Sequence, residues 1–238
     1  EWPELLRAPM AIASRLAGFA LMWAALLGFV IVELQPLTHL LWSRWHAVYV
    51  GEQWEYSSEP IPRVLHQTWK THEPPPELLG YIESWHVQNP HLEYMLWNDT
   101  EGLGLIETHY PWFYRHMDAF KTGVEKADII RYFILYHYGG IYADLDMESL
   151  RPMDPLLHGK RCLVGQEPSA HASLIVSAPR HVCNAWLASA PSLPFWDVVL
   201  DEVRTRSKGS MSKWNPPSIT GPEMLGSVMS RTGYDDSN

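Results

Sequence analysis

The sequence contains little cysteine and little positive charge. Only two of its 238 residues are cysteines, Cys162 and Cys183, so a framework of several disulfides is excluded. This pair either forms one disulfide or provides two buried thiols. Lysine and arginine number 18 against 27 acidic residues, and the formal net charge is −9. This balance argues against a nucleic-acid partner, whose phosphates attract basic proteins. Internal repeats and low-complexity tracts are also absent from the sequence.

One long stretch near the N-terminus lacks charge altogether. Residues 16–32 are almost wholly apolar, and the stretch extends back towards Met10. Its length is roughly the 20 residues that a helix needs to cross a bilayer. The sequence therefore predicts a signal-anchor transmembrane helix over residues 10–35, after an unassigned tail of residues 1–9. A cleaved signal peptide and a buried core helix are the two alternatives.

The charges around this stretch predict its orientation. Arg7 and Arg15 precede the apolar residues and Glu33 follows them. Positive charge is retained on the cytosolic side, so we expect a single-pass type II protein with its remainder in a lumen. Residues 36–60 mix aromatic and charged side chains and are interpreted as a stem, or as a helix packed on the globular domain. That domain is predicted over residues 61–238.

The sequence is organised around residues 124–148. Apolar residues recur there with the spacing of a helix, and Gly139 and Gly140 favour its end because glycine adopts left-handed backbone conformations. A strand pattern of period two follows, with apolar Ile141, Ala143 and Leu145 alternating with Tyr142, Asp144 and Asp146. The stretch therefore predicts a helix, a glycine stop and a buried strand that ends in two carboxylates on one face.

The two carboxylates predict a divalent metal site. Acidic side chains on one face repel each other unless a cation lies between them, and hard oxygen ligands suit Mn²⁺ or Mg²⁺. Asp128 and Arg131 lie three residues apart, so they are neighbours on the predicted helix. By spacing alone, this second pair is interpreted as an exposed intrahelical ion pair of little energetic value. Its position beside the carboxylate strand favours a functional role instead.

Two segments of this stretch resemble the donor-binding core of the family 32 glycosyltransferases. That family includes the fungal initiating α-1,6-mannosyltransferases and the inositol-phosphoceramide mannosyltransferases. A lone Asp-x-Asp is unspecific, but Asp-x-x-Arg-Tyr followed by Gly-Gly-x-Tyr-x-Asp-x-Asp is specific. The resemblance covers about residues 61–225, and relatives often continue further, so a C-terminal truncation of the domain is one expectation. The matching segments are 127–132, 139–146, 61–70, 182–186 with 194–196, and 220–222.

The resemblance implies an α/β fold of the GT-A type. A Rossmann-like mixed sheet would be flanked by helices and preceded by the transmembrane helix. Asp144 and Asp146 would bind the metal, and these two residues with Asp128 and Arg131 would form the catalytic set. Trp69 would stack on the nucleotide base, with a core tryptophan as the alternative. The residues expected to bind the donor are His66, Trp69, Asp128, Arg131, Gly140, Tyr142, Asp144, Asn184, Thr220 and Gly221.

The activity implied is that of a metal-dependent retaining glycosyltransferase in the Golgi (or ER) membrane. Mannose from GDP-mannose is the favoured donor, and a UDP-hexose carrying galactose or glucose is the alternative. The acceptor would be a glycan or a glycolipid, which includes sphingolipids. Two alternatives belong to other classes: an enzyme that only hydrolyses the donor, and a non-catalytic, membrane-tethered module that binds sugar nucleotides. The intact acid pair argues against the binding module.

Three further residues receive expectations from the sequence. Asn98 begins an Asn-Asp-Thr glycosylation sequon, which would be occupied only at an exposed, lumenal site. Glu148 and Glu167 are the nearby acids that qualify as a catalytic nucleophile or base, although solvated acids beside loops are common.

Overall fold

A computed structural model describes residues 46–49, 61–175, 181–208 and 215–233. Its centre is a six-stranded mixed sheet with the strand order β1-β5-β6-β4-β2-β3. The predicted α/β class with a mixed sheet is confirmed. The strands are β1 (His46–Tyr49), β2 (Val64–Thr68), β3 (Glu93–Trp97), β4 (Gly140–Ala143), β5 (Cys162–Gln166) and β6 (Val182–Ser189).

Helices cover both faces of the sheet in this part of the chain. Short 3₁₀ turns at Pro76–Leu78 and Met117–Ala119 accompany them. The α-helices are α1 (Leu79–Gln88), α2 (Asp99–His109), α3 (Pro111–Tyr114), α4 (Gly123–Tyr138), α5 (Asp154–Leu157), α6 (Ser169–Ile175), α7 (Pro194–Lys208), α8 (Pro216–Ile219) and α9 (Pro222–Thr232).

Three neighbouring strands are parallel and end at one edge of the sheet. β2 pairs in parallel with β3 on one side and with β4 on the other. The carboxyl ends of such strands are where open α/β sheets bind ligands. Thr68, Trp97 and Ala143 are the last residues of these three strands, and the carboxylate pair follows Ala143.

The other half of the sheet is antiparallel. β6 lies between β4 and β5 and is antiparallel to both, so its first residues reach the edge at which β4 ends. β1 adds an outer strand by pairing with β5, and it falls within the range interpreted as a stem. The predicted signal anchor lies outside the described residues. Within the part of the chain that the structure describes, no helix is both long enough and apolar enough to cross a membrane.

One hydrophobic core lies on each face of the sheet. Tyr142 and Leu187 face the core formed with α4, α7 and α9, where Trp196 is fully buried. Ile141 and Ala188 face the second core, which Trp85 of α1 fills from the opposite side. Because β4 alternates between two buried faces, all four of its residues are buried.

Helix α4 has strong signals at both ends. A capping box joins Thr122 and Glu125, since the Thr122 hydroxyl accepts from Glu125 N–H and the Glu125 carboxylate accepts from Thr122 N–H. Gly139 and Gly140 follow with φ of 67° and 91°. A Cβ at Gly140 would lie 2.7 Å from the Val64 carbonyl oxygen, so this position requires glycine for space as well as for conformation.

One local prediction is wrong in detail. β4 ends at Ala143, so Asp144 and Asp146 lie in a turn after the strand and not within it. Asp144 N–H donates to Ala185 O in β6 at 2.8 Å, and Met147 N–H donates back to Asp144 O at 3.0 Å, which closes the turn.

Candidate active site

The predicted site residues meet where α4 crosses the ends of β2, β4 and β6. Arg131 lies at the centre of this region. Its guanidinium reaches Asp128 Oδ1 through Nη2 at 3.1 Å and Asp144 Oδ1 through Nη1 at 3.1 Å. Nη1 also donates to Asn184 O at 2.8 Å, and the guanidinium carbon lies 4.8 Å from the centre of the Tyr142 ring. One cation therefore joins the helix carboxylate to the first acid after the strand.

Both members of the helix pair are buried. Asp128 is 4% exposed and Arg131 is 6% exposed. The interpretation of this pair as an exposed intrahelical ion pair is therefore wrong. Breaking a buried ion pair leaves an uncompensated charge, so each partner depends on the other far more than a surface pair does.

Asp128 has protein partners on both of its carboxylate oxygens. Asn184 Nδ2 donates to Oδ1 at 2.8 Å, and Thr220 Oγ1 donates to Oδ2 at 2.8 Å. Tyr132 joins the same group, since its hydroxyl donates to Thr220 O at 2.7 Å and accepts from Asn184 Nδ2 at 3.1 Å. A Cβ at Gly221 would lie 3.3 Å from Asp128 Oδ2. The segment before α9 therefore closes directly over Asp128.

Asp144 is held by its side chain and by its backbone. Tyr142 Oη donates to Asp144 Oδ1 at 2.8 Å, and Thr68 Oγ1 lies 2.8 Å from Tyr142 Oη. Gln67 Nε2 donates to Asp144 O at 3.3 Å, while Gln67 Oε1 accepts from Tyr94 Oη at 3.0 Å. The carboxyl end of β2 thus supports the start of the carboxylate turn.

The two acids of the turn differ in environment. The Asp144 side chain is 31% exposed, whereas Asp146 is largely open to solvent. Among the described residues, no group of three or more histidine, cysteine or acidic side chains is close enough to hold a metal ion. Asp144 Oδ2 and the Asp146 carboxylate make no hydrogen bond within the described ranges. Two hard oxygen donors that lack protein partners fit a cation whose other ligands come from a diphosphate and water.

Burial and charge compete in the buried network. Burial raises the pKa of the Asp128 carboxyl above its usual range, and Arg131, Thr220 and Asn184 oppose that rise. Burial likewise raises the pKa of Asp144, against the opposing effects of Arg131 and Tyr142. Burial would lower the pKa of Arg131, but Asp144 and Asp128 raise it well above its ordinary value. The guanidinium therefore keeps its charge and compensates both acids.

His66 and Trp69 lie on β2 or just after it. His66 is fully buried, with Nδ1 accepting from Trp97 Nε1 at 3.1 Å and Nε2 lying 3.1 Å from Gly139 O. Since Trp97 can only donate, His66 carries its proton on Nε2 and donates to Gly139. Both ring nitrogens are thus occupied within the protein. Trp69 is half-buried beside Lys70, whose Nζ lies 6.0 Å from the ring centre, and its stacking on a base stays a prediction.

The other residues with expectations from the sequence are two acids, the two cysteines and the sequon asparagine. Glu148 is exposed and Glu167 is half-buried after β5. Cys162 and Cys183 are both free and buried, which is the second of the two alternatives that the sequence left open. Asn98 caps α2, because its Oδ1 accepts from Glu101 N–H at 2.9 Å within a capping box.

Sequence reasoning did not single out Thr68, Gln67 or Tyr132. Thr68 and Gln67 stand at the carboxyl end of a parallel strand, which is a usable signal once the strand is recognised. Tyr132 directly follows Arg131 in the Asp-x-x-Arg-Tyr motif, but its partners come from residues 184 and 220. No local pattern predicts contacts over that separation.

Comparisons with known proteins match the part of the chain that carries this site. Residues 75–163 match the sequence model of the glycosyltransferase sugar-binding region containing the DXD motif. This range includes Asp128, Arg131, Asp144 and Asp146. The solved structure of PaToxG glycosyltransferase matches with a TM-score of 0.52 over 82% of this chain and 75% of that chain, at 13% identity. That likeness concerns the fold alone.

Several curated relatives are named as fungal enzymes of mannosyl transfer. Inositol phosphoceramide mannosyltransferase 3 of Schizosaccharomyces pombe is 47% identical over 47% of this chain and 31% of its own length. Mannosyl phosphorylinositol ceramide synthase CSH1 of Saccharomyces cerevisiae is 35% identical over 69% of this chain and 40% of its own length. The matches thus span less than half of these relatives. Residues 75–163 thus match a glycosyltransferase sugar-binding region, and the resemblance that the sequence motifs predict is confirmed.

Proposed function

We propose that this chain is the donor-binding catalytic part of a metal-dependent retaining glycosyltransferase that moves mannose from GDP-mannose. The observation that carries the proposal is the position of Arg131, which is buried between Asp128 and Asp144 at the edge where the parallel strands end. A purely structural ion pair needs no second acid held in a partly exposed turn. The arrangement leaves one oxygen of the Asp144 carboxylate, Oδ2, available to a ligand.

The residues of this site have distinct roles in the proposal. Asp144 and Asp146 hold a divalent cation, which when bound neutralises the diphosphate and stabilises the leaving nucleotide. Arg131 balances the charge of the buried acids and orients Asp144. Trp69 stacks against the base. Asp128 reaches the donor sugar only if one of its hydrogen bonds to Asn184 or Thr220 is exchanged for a sugar hydroxyl.

The acceptor follows from the relatives by analogy. Five curated relatives carry names that describe mannosyl transfer to inositol phosphoceramide or synthesis of its mannosylated product. Others are named as initiation-specific α-1,6-mannosyltransferases. A glycolipid of the sphingolipid class is therefore the acceptor we propose, ahead of a protein-linked glycan. Placement in the Golgi or ER membrane, with the site in the lumen, belongs to the same proposal and rests on the apolar run of residues 16–32.

Calorimetric binding to the full chain tests the donor site. GDP-mannose, UDP-galactose and UDP-glucose are titrated with Mn²⁺ and again with a chelator. We expect GDP-mannose to bind only with the metal. The variant Asp146→Asn should lose that binding while its thermal unfolding stays unchanged, because its side chain is exposed.

The matched control is Asp118→Asn, which changes an exposed aspartate on a different element. It should bind GDP-mannose as the unmodified chain does. Binding of a UDP-hexose in place of GDP-mannose would redirect the proposal to that donor. Equal donor binding with metal and with chelator would contradict the metal site. Transfer of mannose to inositol phosphoceramide, measured by mass spectrometry, separates transferase activity from donor hydrolysis and from binding without turnover.

A further inference from the structure

A chain of two hydroxyl groups ends on one oxygen of Asp144. Tyr142 Oη donates to Asp144 Oδ1 at 2.8 Å, and Thr68 Oγ1 lies 2.8 Å from the same Tyr142 oxygen. A phenol has a single proton, and here that proton is committed to the carboxylate. Thr68 must therefore donate to Tyr142. The direction of both hydrogen bonds follows from this count, and it runs from Thr68 through Tyr142 to Asp144.

The two oxygens of Asp144 are left unequal by this chain. Oδ1 accepts from Tyr142 and also contacts Arg131 Nη1 at 3.1 Å. Oδ2 has no hydrogen-bond partner in the ranges that the structure describes. The Asp144 side chain is 31% exposed, so this oxygen is open to a ligand. A carboxylate rotates about its last torsion at little energetic cost unless its oxygens are distinguished. Tyr142 and Arg131 together distinguish them.

We propose that Thr68 and Tyr142 are positioning residues that fix the Asp144 carboxylate so that Oδ2 is the oxygen presented to the metal–diphosphate. This inference rests on the proposed function. It adds Thr68 to the site, and it gives Tyr142, which the resemblance places among the donor-binding residues, a role through Asp144 instead of a direct contact with the metal or the sugar. Such outer partners of metal ligands orient the ligand and tune its affinity for the ion.

The Tyr142 hydroxyl is suited to this task because its ring is packed on all sides. Tyr142 is fully buried in the core beneath α4, and the Arg131 guanidinium lies over its ring at 4.8 Å. Thr68 is the last residue of β2. His66, two residues earlier in the same strand, pairs with Tyr142 of β4. Both hydroxyls are thus fixed by the regular part of the fold, whereas Asp144 lies in the turn that follows.

The test measures Mn²⁺ affinity directly, by calorimetry on the full chain saturated with GDP. Tyr142→Phe and Thr68→Val each remove one hydroxyl and keep the shape of the side chain. We expect Tyr142→Phe to weaken Mn²⁺ binding roughly 10-fold, as loss of a ligand's outer partner does. Thr68→Val should weaken it less. The double variant should bind as Tyr142→Phe does, because Thr68 acts only through the tyrosine.

Two controls separate positioning from loss of fold. Thr68→Ser keeps the hydroxyl and should restore wild-type affinity. Tyr110→Phe removes a tyrosine hydroxyl that bonds His137 Nδ1 at 2.9 Å, away from Asp144, and should leave Mn²⁺ binding unchanged. Thermal unfolding is recorded for each variant. If Tyr142→Phe does not fold, Thr68→Val against Thr68→Ser decides the question.

Three outcomes would overturn the inference. Wild-type Mn²⁺ affinity in both single variants would show that the hydroxyls only satisfy each other. Effects that multiply in the double variant would show that Thr68 acts independently of Tyr142. Absence of Mn²⁺ binding by the unmodified chain with GDP would remove the proposed function itself and the inference with it. In the first two outcomes the donor site stands, so the two failures are distinguishable.

Discussion

Thr220 Oγ1 donates to Asp128 Oδ2 at 2.8 Å, although 92 positions separate the two residues. This hydrogen bond joins the start of α4 to the segment that leads into α9. Both groups are buried, so solvent does not replace the bond if it is broken. The segment that contains Thr220 therefore completes the environment of a carboxylate that the resemblance places among the donor-binding residues.

Replacement of this hydroxyl should destabilise the protein. Thr220→Val leaves Asp128 Oδ2 without its donor, and we expect about 1–3 kcal/mol less free energy of unfolding. Thr220→Ser keeps the donor and is the matched control. Urea unfolding followed by tryptophan fluorescence measures both. Equal stability of the valine and serine variants would contradict a direct role of the hydroxyl at Asp128.

Removal of the central cation should have a larger effect. Arg131→Met keeps much of the side-chain volume but leaves Asp128 and Asp144 uncompensated, and we expect a loss of about 3–5 kcal/mol. Asp128→Asn in the same background should recover part of that loss, since one buried negative charge is then gone. Arg115→Met, at an exposed arginine, is the control and should change the unfolding midpoint little. No recovery in the double variant would argue against electrostatic coupling of the pair.

The local sequence pattern predicts best those helices and strands whose ends are marked by capping residues or glycines. Helix α4, its glycine stop and β4 follow from apolar spacing and from Gly139 and Gly140, and the structure contains all three. The predicted length of β4 is wrong because the alternation of apolar and polar residues continues through Leu145, while the backbone turns after Ala143. The first residue of that turn, Asp144, is held by a hydrogen bond from its N–H to Ala185 O in another strand. Such a contact leaves no trace in the local sequence.

The antiparallel half of the sheet is even harder to predict from the local sequence. Six of the eight residues of β6 are buried, so the strand lacks the polar alternation that would identify it. β1 lies among aromatic and charged residues that resemble a membrane-proximal stem. Within the site, the pairing of Asp128 with Arg131 follows from helical spacing. Its burial, and the addition of Asn184 and Thr220, depend on elements distant in sequence.

A glycine substitution tests the stop between α4 and β4. Gly140→Ala places a Cβ 2.7 Å from the Val64 carbonyl oxygen at a φ of 91°, and we expect a loss of several kcal/mol or failure to fold. Gly104→Ala is the matched control, because its Cβ would meet no atom within 4 Å in helix α2. It should stabilise by up to about 1 kcal/mol. Thermal unfolding midpoints compare the two, and similar midpoints would show that the backbone at Gly140 adapts.

His66 makes the stability of the domain depend on pH. Burial lowers its pKa from 6.5 to about 4, against the smaller opposing effect of the hydrogen bond to Gly139. Protonation would also place a hydrogen on Nδ1, which faces the Trp97 N–H. The unfolded chain binds this proton more readily than the folded protein between these two pKa values. The stabilising contribution is therefore present above pH 6.5 and is lost as the pH falls towards 4.

The expected size of this effect is about 2 kcal/mol less free energy of unfolding at pH 5 than at pH 7. Urea unfolding at the two pH values measures it. His66→Gln should be less stable at pH 7 but should lose most of this pH dependence, since an amide does not titrate. His72→Gln changes an exposed histidine and should keep the full dependence. An unchanged pH dependence in the His66 variant would assign the effect to other titrating groups and would leave His66 with only its hydrogen bonds to Trp97 and Gly139 as a structural role.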